Sequence, residues 1–299
     1  MTRVHAHLNI TAMALLVVLC LSWGLQQVAI KVAIPAVSPV AQAAIRSVGA
    51  AILIWLWMVV RGVPLRERDG TLWWGIAAGL LFAAEFVLIY WGLEFTNASR
   101  AVIFLYLSPF VVALGAQWFI PGEHLTRLQV VGLVSAFAGI VVAFGESLAI
   151  PDPRVLVGDA MLVGAAVLWG ATTVLIKASA LATAAPSKTL LYQLGVSALV
   201  LPPAALLLGE GGIRQVTPLM VGSLLYQAVW VAFITYLVWF WLVRHYPAAR
   251  LASFTFLTPL FGVMAGGWLL AEPVTPWLIL ALLLVGAGIY LVNRPARGR

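Results

Sequence analysis

Two opposite charges sit far inside apolar runs of this chain, and they are the first residues that could do chemistry. Glu85 lies in FAAEFVLIY and Arg46 in AQAAIRSVGA. A lone carboxylate in hydrocarbon is costly, so Glu85 must face a cavity, take a partner or bind a proton. Arg46 is the partner on offer. Counted inward from Ser38 and from Leu93 at about 1.5 Å per residue, the two residues lie at a similar depth, roughly 12 Å. The spacing predicts an Arg46–Glu85 charge pair.

A second set of residues could hold a ligand. Trp23, Gln26 and Gln27 fall within one helical turn, so Trp23 shares a face with one or both glutamines. Trp169 has Thr172 and Thr173 in the matching places, Gln227 and Trp230 repeat the combination, and Tyr106 adds another ring. An indole wall beside amides or hydroxyls suits a zwitterion carrying an aromatic side chain: one part stacks while the other hydrogen-bonds. These residues, with Glu85 and Gln193, are the expected lining of a cavity. The other side of that expectation is arithmetic. Thirteen tryptophans cannot all line it, and Trp55, Trp57, Trp73 and Trp74 suit interfacial belts. Pro109 and Pro259 sit in the middle third of their runs, where a missing N–H frees a carbonyl four residues back and makes a hinge. Lys31 and Lys177 close their runs and read as side chains that snorkel to headgroups. Gly75/Gly79 and Gly262/Gly266 have the spacing of close helix packing.

The elements that must position these groups are membrane helices. The chain has 299 residues, 63% hydrophobic and 9% charged, against about 25% charged in an average soluble chain. Roughly ten runs could each cross about 30 Å of hydrocarbon: near 11–32, 38–60, 71–94, 99–119, 126–146, 157–179, 187–208, 218–243, 250–271 and 274–293. Proline and glycine clusters punctuate them. The net charge of +7 is dispersed at the ends of apolar runs and forms no stripe, which argues for orientation in a bilayer and against nucleic acid. With a cytoplasmic N-terminus, twelve Lys and Arg fall on the inner side and four on the outer, with Arg46 between. Both termini are therefore expected in the cytoplasm of a multi-pass inner-membrane protein. The single cysteine, Cys20, reads as a small buried hydrophobe.

The chain also says itself twice. LSWGLQQVAIK (Leu21–Lys31) returns as VLWGATTVLIK (Val167–Lys177), and Phe86–Pro109 aligns without a gap on Tyr236–Pro259. Arg100 then meets Arg250, and Pro109 meets Pro259. The repeat unit is five helices, 11–146 and 157–293. Because five is odd, the second copy enters the membrane from the opposite face, a common plan of secondary transporters with a site near the midplane.

In this arrangement the marks Trp23-Gly24, Arg100-Ala101, Ser108-Pro109 and Glu123 recur as Trp169-Gly170, Arg250, Thr258-Pro259 and Glu272. Their shared order resembles the EamA domain of the drug/metabolite transporter superfamily. The resemblance implies an all-α membrane protein of ten transmembrane helices, built as two inverted five-helix repeats around a central cavity. Within the superfamily the wording is most similar to YddG-type exporters of aromatic and other neutral amino acids.

The function expected from the sequence is export of such amino acids, or of similar small metabolites, by alternating access. A proton- or exchange-coupled carrier of another metabolite or drug is the alternative. Proton coupling through Glu85 and assembly as a homodimer are compatible with this plan. No cofactor or metal is expected: no GxxxxGK[ST] loop or HExxH occurs. A polytopic membrane enzyme is a distant alternative, because the buried carboxylate stands alone. Sugar-phosphate exchange is disfavoured, since only one cation lies deep.

Overall fold

The computed structural model describes residues 8–64, 69–92, 95–96, 98–148, 153–270 and 276–294. Among these the chain is helical throughout, apart from turns, short 3-10 stretches and one isolated antiparallel bridge between Val37 and Ile213. The elements are α1 (Ile10–Ala33), α2 (Pro39–Val60), α3 (Thr71–Gly92), α4 (Ala98–Leu105), α5 (Ser108–Phe119), α6 (Arg127–Phe144), α7 (Pro153–Ala178), α8 (Pro186–Leu207), α9 (Pro218–Leu225), a π-helical stretch (Tyr226–Thr235), α10 (Tyr236–His245), α11 (Ala248–Phe254), α12 (Leu257–Leu270) and α13 (Trp277–Asn293). Nine continuous or broken helices among the described residues are long and apolar enough to cross a membrane. The last apolar helix, α13, has 17 residues, about 26 Å of rise; the expected start of its run, 274–275, lies outside the described residues.

Local chemistry sets the helix ends. Asn9 caps α1 by accepting the Ala12 N–H at 2.8 Å, and Thr126 with Gln129 forms a capping box at α6. Pro39 and Pro186 open α2 and α8, where a missing N–H costs nothing. Gly62 and Gly209 follow the ends of the same two helices with φ of 63° and 71°, a region that disfavours side chains.

The helices pack in a regular set of pairs. α13 lies along α6, α2 along α8, α1 along α12, α5 along α7, and α3 along both α7 and α8; α2 also meets the π-helical stretch. Glycine sets the closest approaches. A Cβ on Gly24 would stand 2.9 Å from the Thr258 carbonyl oxygen, and one on Gly170 would stand 3.2 Å from that of Ser108. Trp-Gly is therefore repeated because each copy's glycine lets its helix cross the backbone of the Ser/Thr-Pro element in the other half. Gly75 and Gly79 serve α3 in the same way against Tyr192 and Val196 of α8.

Candidate substrate site

The first-copy tryptophan anchors an aromatic chain that leads to the buried charges. Trp23 donates its indole N–H to Thr235 Oγ1 at 2.9 Å, and its ring meets Tyr236 and Trp239 edge-on at 6.0 and 5.5 Å. Tyr236 then meets Phe82, and Phe82 meets Phe86 at 4.9 Å. The Arg46 guanidinium lies 4.5 Å over the Phe86 ring and 6.0 Å from that of Tyr236. One continuous patch thus runs from Trp23 on α1, through α10 and α3, to Arg46 on α2. Trp169 belongs to a second patch, edge-on to Tyr106 at 5.9 Å, with Phe256 and Phe110 beyond.

Several polar groups on α2, α3 and α8 are buried without hydrogen-bond partners among the described residues. Arg46 is 1% exposed, and among the described residues none of its three side-chain nitrogens closes a well-formed hydrogen bond, the Tyr236 side chain standing nearest. Oε2 of Glu85, both amide atoms of Gln193 and the hydroxyls of Ser47 and Ser197 are also buried without partners. Glu85 and Arg46 share the Phe86–Tyr236 patch, and Tyr236 lies within electrostatic reach of both. Among the described residues, though, they do not close the direct ion pair expected from their common depth. Depth along a helix fixes height, not the direction in which a side chain points.

The other expected lining residues divide. Gln26 is buried, whereas Gln27 is exposed on another face of α1, beside Gly262. Thr172 and Thr173 are buried, and their hydroxyls donate to the carbonyls of Leu168 and Trp169 in their own helix. Gln227 donates to Gln42 Oε1 and Ser223 Oγ, both at 3.0 Å, which ties the π-helical stretch to α2. Trp230 is 40% exposed, and its indole holds Ser22 rather than joining the Trp23 patch. Gln42 and Ser197 were not singled out from sequence. Their signal was available: each stands four residues from a buried polar residue, Arg46 and Gln193, on the same helix face.

The prolines do not interrupt helices by themselves. Both spans are already broken by turns at Tyr106–Leu107 and Thr255–Phe256, and Pro109 falls in the first turn of α5. The Thr255 carbonyl, expected to be freed by Pro259, accepts the Thr258 N–H at 3.0 Å.

Lys177 corrects the snorkelling expectation. Its side chain is buried, pairs with Glu123 at 2.9 Å and also donates to the Tyr246 carbonyl. Arg100 makes a two-pronged pair with Asp159, to which Thr96 also donates at 2.9 Å. Cys20 is fully buried, as expected of a small hydrophobe, with its thiol toward the Phe254 carbonyl. Glu272 lies outside the described residues. Among those described, no group of three His, Cys, Asp or Glu is placed to hold a metal.

The EamA-like transporter family matches this chain twice, over residues 10–145 and 156–294. The chain belongs to that family. It is a multi-pass membrane protein of a transporter family. It is 27% identical over 289 residues to the uncharacterized transporter YvbV of Bacillus subtilis (strain 168), covering 95% of this chain and 92% of the other. It is 28% identical over 300 residues to a probable amino-acid metabolite efflux pump of Salmonella typhimurium (strain LT2), covering 95% and 97%. A solved crystal structure superimposes with a TM-score of 0.80 over 94% of this chain and 98% of the other, at 19% identity, which speaks for the fold alone.

Proposed function

We propose that this EamA-family chain exports aromatic and other neutral amino acids across the inner membrane, by alternating access between inverted halves 11–146 and 157–293. One observation carries the substrate class: a buried guanidinium without an ion-pair partner lies over the aromatic patch that runs from Trp23 to Phe86, with unpartnered carboxyl and amide groups buried on the adjoining helices α3 and α8. Such a locus offers a zwitterion its two charges and an apolar side chain a wall. The name of the Salmonella typhimurium relative, a probable amino-acid metabolite efflux pump, points the same way.

The packing supports the inverted plan. Exchanging the halves turns the contact of α1 with α12 into that of α7 with α5, and the contact of α3 with α8 into that of the π-helical stretch with α2. The pairs α2–α8 and α6–α13 map onto themselves. A two-fold relation between the halves requires this, and an odd number of spans per half makes the axis lie in the membrane plane. The breaks beside Pro109 and Pro259 supply the hinges. The Lys and Arg bias supports cytoplasmic termini, so a tag at residue 150 reports from outside the cytoplasm.

The test is radiolabelled phenylalanine flux in proteoliposomes of the purified chain, with and without a pH gradient. Saturable movement is expected, and a dependence on the gradient marks proton coupling. If no neutral amino acid moves under either condition, the substrate reading is wrong.

A further inference from the structure

We infer that Arg46 is the anchor for the carboxylate of the transported molecule. The inference deepens the amino-acid reading above and rests on it only for the rest of the ligand. The guanidinium carries five N–H donors in one plane. The Phe86 ring, 4.5 Å away, covers one flat face, and Tyr236 stands near by at 6.0 Å. An anion therefore approaches through the edge, where the fork of N–H groups matches two carboxylate oxygens.

Among the described residues no carboxylate or carbonyl takes up that edge; the Tyr236 side chain is the group that stands nearest it. All three nitrogens are buried without a well-formed hydrogen bond in a side chain that is 1% exposed. A guanidinium held in a membrane interior without an acceptor is strongly disfavoured unless a partner arrives. Glu85, the carboxylate of the same patch, leaves Oε2 unpartnered instead of closing onto Arg46. The pair is thus split, and both side chains retain unused hydrogen-bonding capacity. A zwitterion would place its carboxylate on Arg46 and turn its ammonium toward Glu85.

Charge also sets the class of anion. A single guanidinium at this patch does not suit a phosphate dianion, which calls for several converging cations. Gln193 and Ser197, buried and unpartnered on α8, are neutral groups suited to the remaining lone pairs and protons of a small polar head. The helix that carries them packs against both α2 and α3, which carry Arg46 and Glu85.

The test pairs each acid with its amide. Binding of phenylalanine, phenylalaninamide, 3-phenylpropionate and 3-phenylpropionamide is measured by competition and thermal shift on the purified full chain, for wild type, Arg46→Gln and Arg46→Lys. Wild type should prefer each acid over its amide by about 10- to 100-fold, as expected of hydrogen bonds to a charged group. Arg46→Gln should bring that ratio close to one by weakening the acids alone, and Arg46→Lys, which keeps the charge but loses the fork, should fall between. If Arg46→Gln does not fold, the lysine variant decides. An acid-to-amide ratio that stays unchanged in the folded variants, or acids and amides that weaken together as for a structural role, overturns the anchor.

The same panel separates this claim from the amino-acid reading. A chain that discriminates 3-phenylpropionate from its amide but ignores phenylalanine keeps the anchor and removes that reading. One that binds phenylalanine and its amide equally removes the anchor and keeps the reading. A wild type that binds none of the four overturns both.

Discussion

Glu123 and Lys177 meet at 2.9 Å although they come from different halves of the chain, and both side chains are largely buried. The carboxylate has a second task. It accepts the Ala248 N–H at 2.8 and 3.1 Å, at the start of α11, where unsatisfied N–H groups favour an anion. Lys177 in turn donates to the Tyr246 carbonyl, two residues ahead of that helix. A single charge pair therefore ties the segment after α5, the end of α7 and the connection from α10 to α11.

Breaking one side of this tie leaves a buried charge. Lys177→Met should cost about 3 kcal/mol, in the range for removing one partner of a buried pair, read as a lowered thermal midpoint in detergent. Exchanging the two residues (Glu123→Lys with Lys177→Glu) should not restore it. The new ammonium would face the Ala248 N–H, and the new carboxylate the Tyr246 carbonyl. A swap with wild-type stability would refute the capping role.

The glycines of the repeated Trp-Gly element should be intolerant of a methyl group. A Cβ at Gly24 would lie 2.7 Å from the Gly262 backbone nitrogen and 2.9 Å from the Thr258 carbonyl oxygen. At Gly170 it would lie 2.5 Å from Val111 Cβ. Gly24→Ala and Gly170→Ala should each cost about 1–3 kcal/mol through forced separation of the helices. Gly195→Ala, on α8 with open space around it, should be neutral or stabilising by about 0.4–1 kcal/mol. Thermal unfolding of the three variants checks both halves of the claim.

Much of this site could be read from residue order, and the unread part has physical causes. The duplicated Trp23-Gly24 and Trp169-Gly170 were visible as repeats, and Glu85 and Arg46 as misplaced charges. Their height in the membrane followed from counting. Their azimuth did not. A soluble helix shows its inner face by amphipathicity, but a lipid-facing helix is apolar on both sides. Gln27 and Trp230, expected to line a cavity, are both exposed, and neither joins the aromatic patch of Trp23. Lys177 looked like a snorkelling residue because its acidic partner lies 54 positions earlier in the chain, beyond any local pattern. The π-helical stretch at Tyr226–Thr235 contains neither proline nor glycine, so nothing in its composition marks it.

Acid should weaken the tie between the α2–α3 connection and α8. Asp69 accepts from Lys188 Nζ at 2.6 Å and from the Thr71 backbone and hydroxyl at 3.1 and 2.7 Å. The Lys188 ammonium, and then Thr71, hold the Asp69 carboxyl down to about 2 from an ordinary value of 3.8. A depressed carboxyl contributes stability above its unfolded value and loses it as the pH falls toward the folded one. The contribution should thus be whole above about pH 4 and fade between about pH 4 and 2. Asp69→Asn should flatten the decline over that window and lower stability at neutral pH, because Lys188 remains buried. Equal slopes for wild type and variant would show that the pair does not carry the effect.

The two proline positions separate folding from motion. The turns at Tyr106–Leu107 and Thr255–Phe256 are held by their own bonds: Leu107 N–H to the Phe104 carbonyl at 3.2 Å, and the Thr255 hydroxyl to the Ala252 carbonyl at 2.7 Å. Pro109 and Pro259 then occupy the first turn of the segment that follows, where a backbone N–H has no helical acceptor to lose. Alanine at either place should change stability by less than about 1 kcal/mol. It also supplies an N–H that can reach back across the break and let the two segments join into one stiffer helix. The exchange rate of labelled amino acid should then fall several-fold while binding in the resting state is little altered. Flux and thermal unfolding on Pro109→Ala, Pro259→Ala and the double variant check this. A double variant with wild-type flux would leave the prolines as passive markers of breaks that the turns themselves maintain.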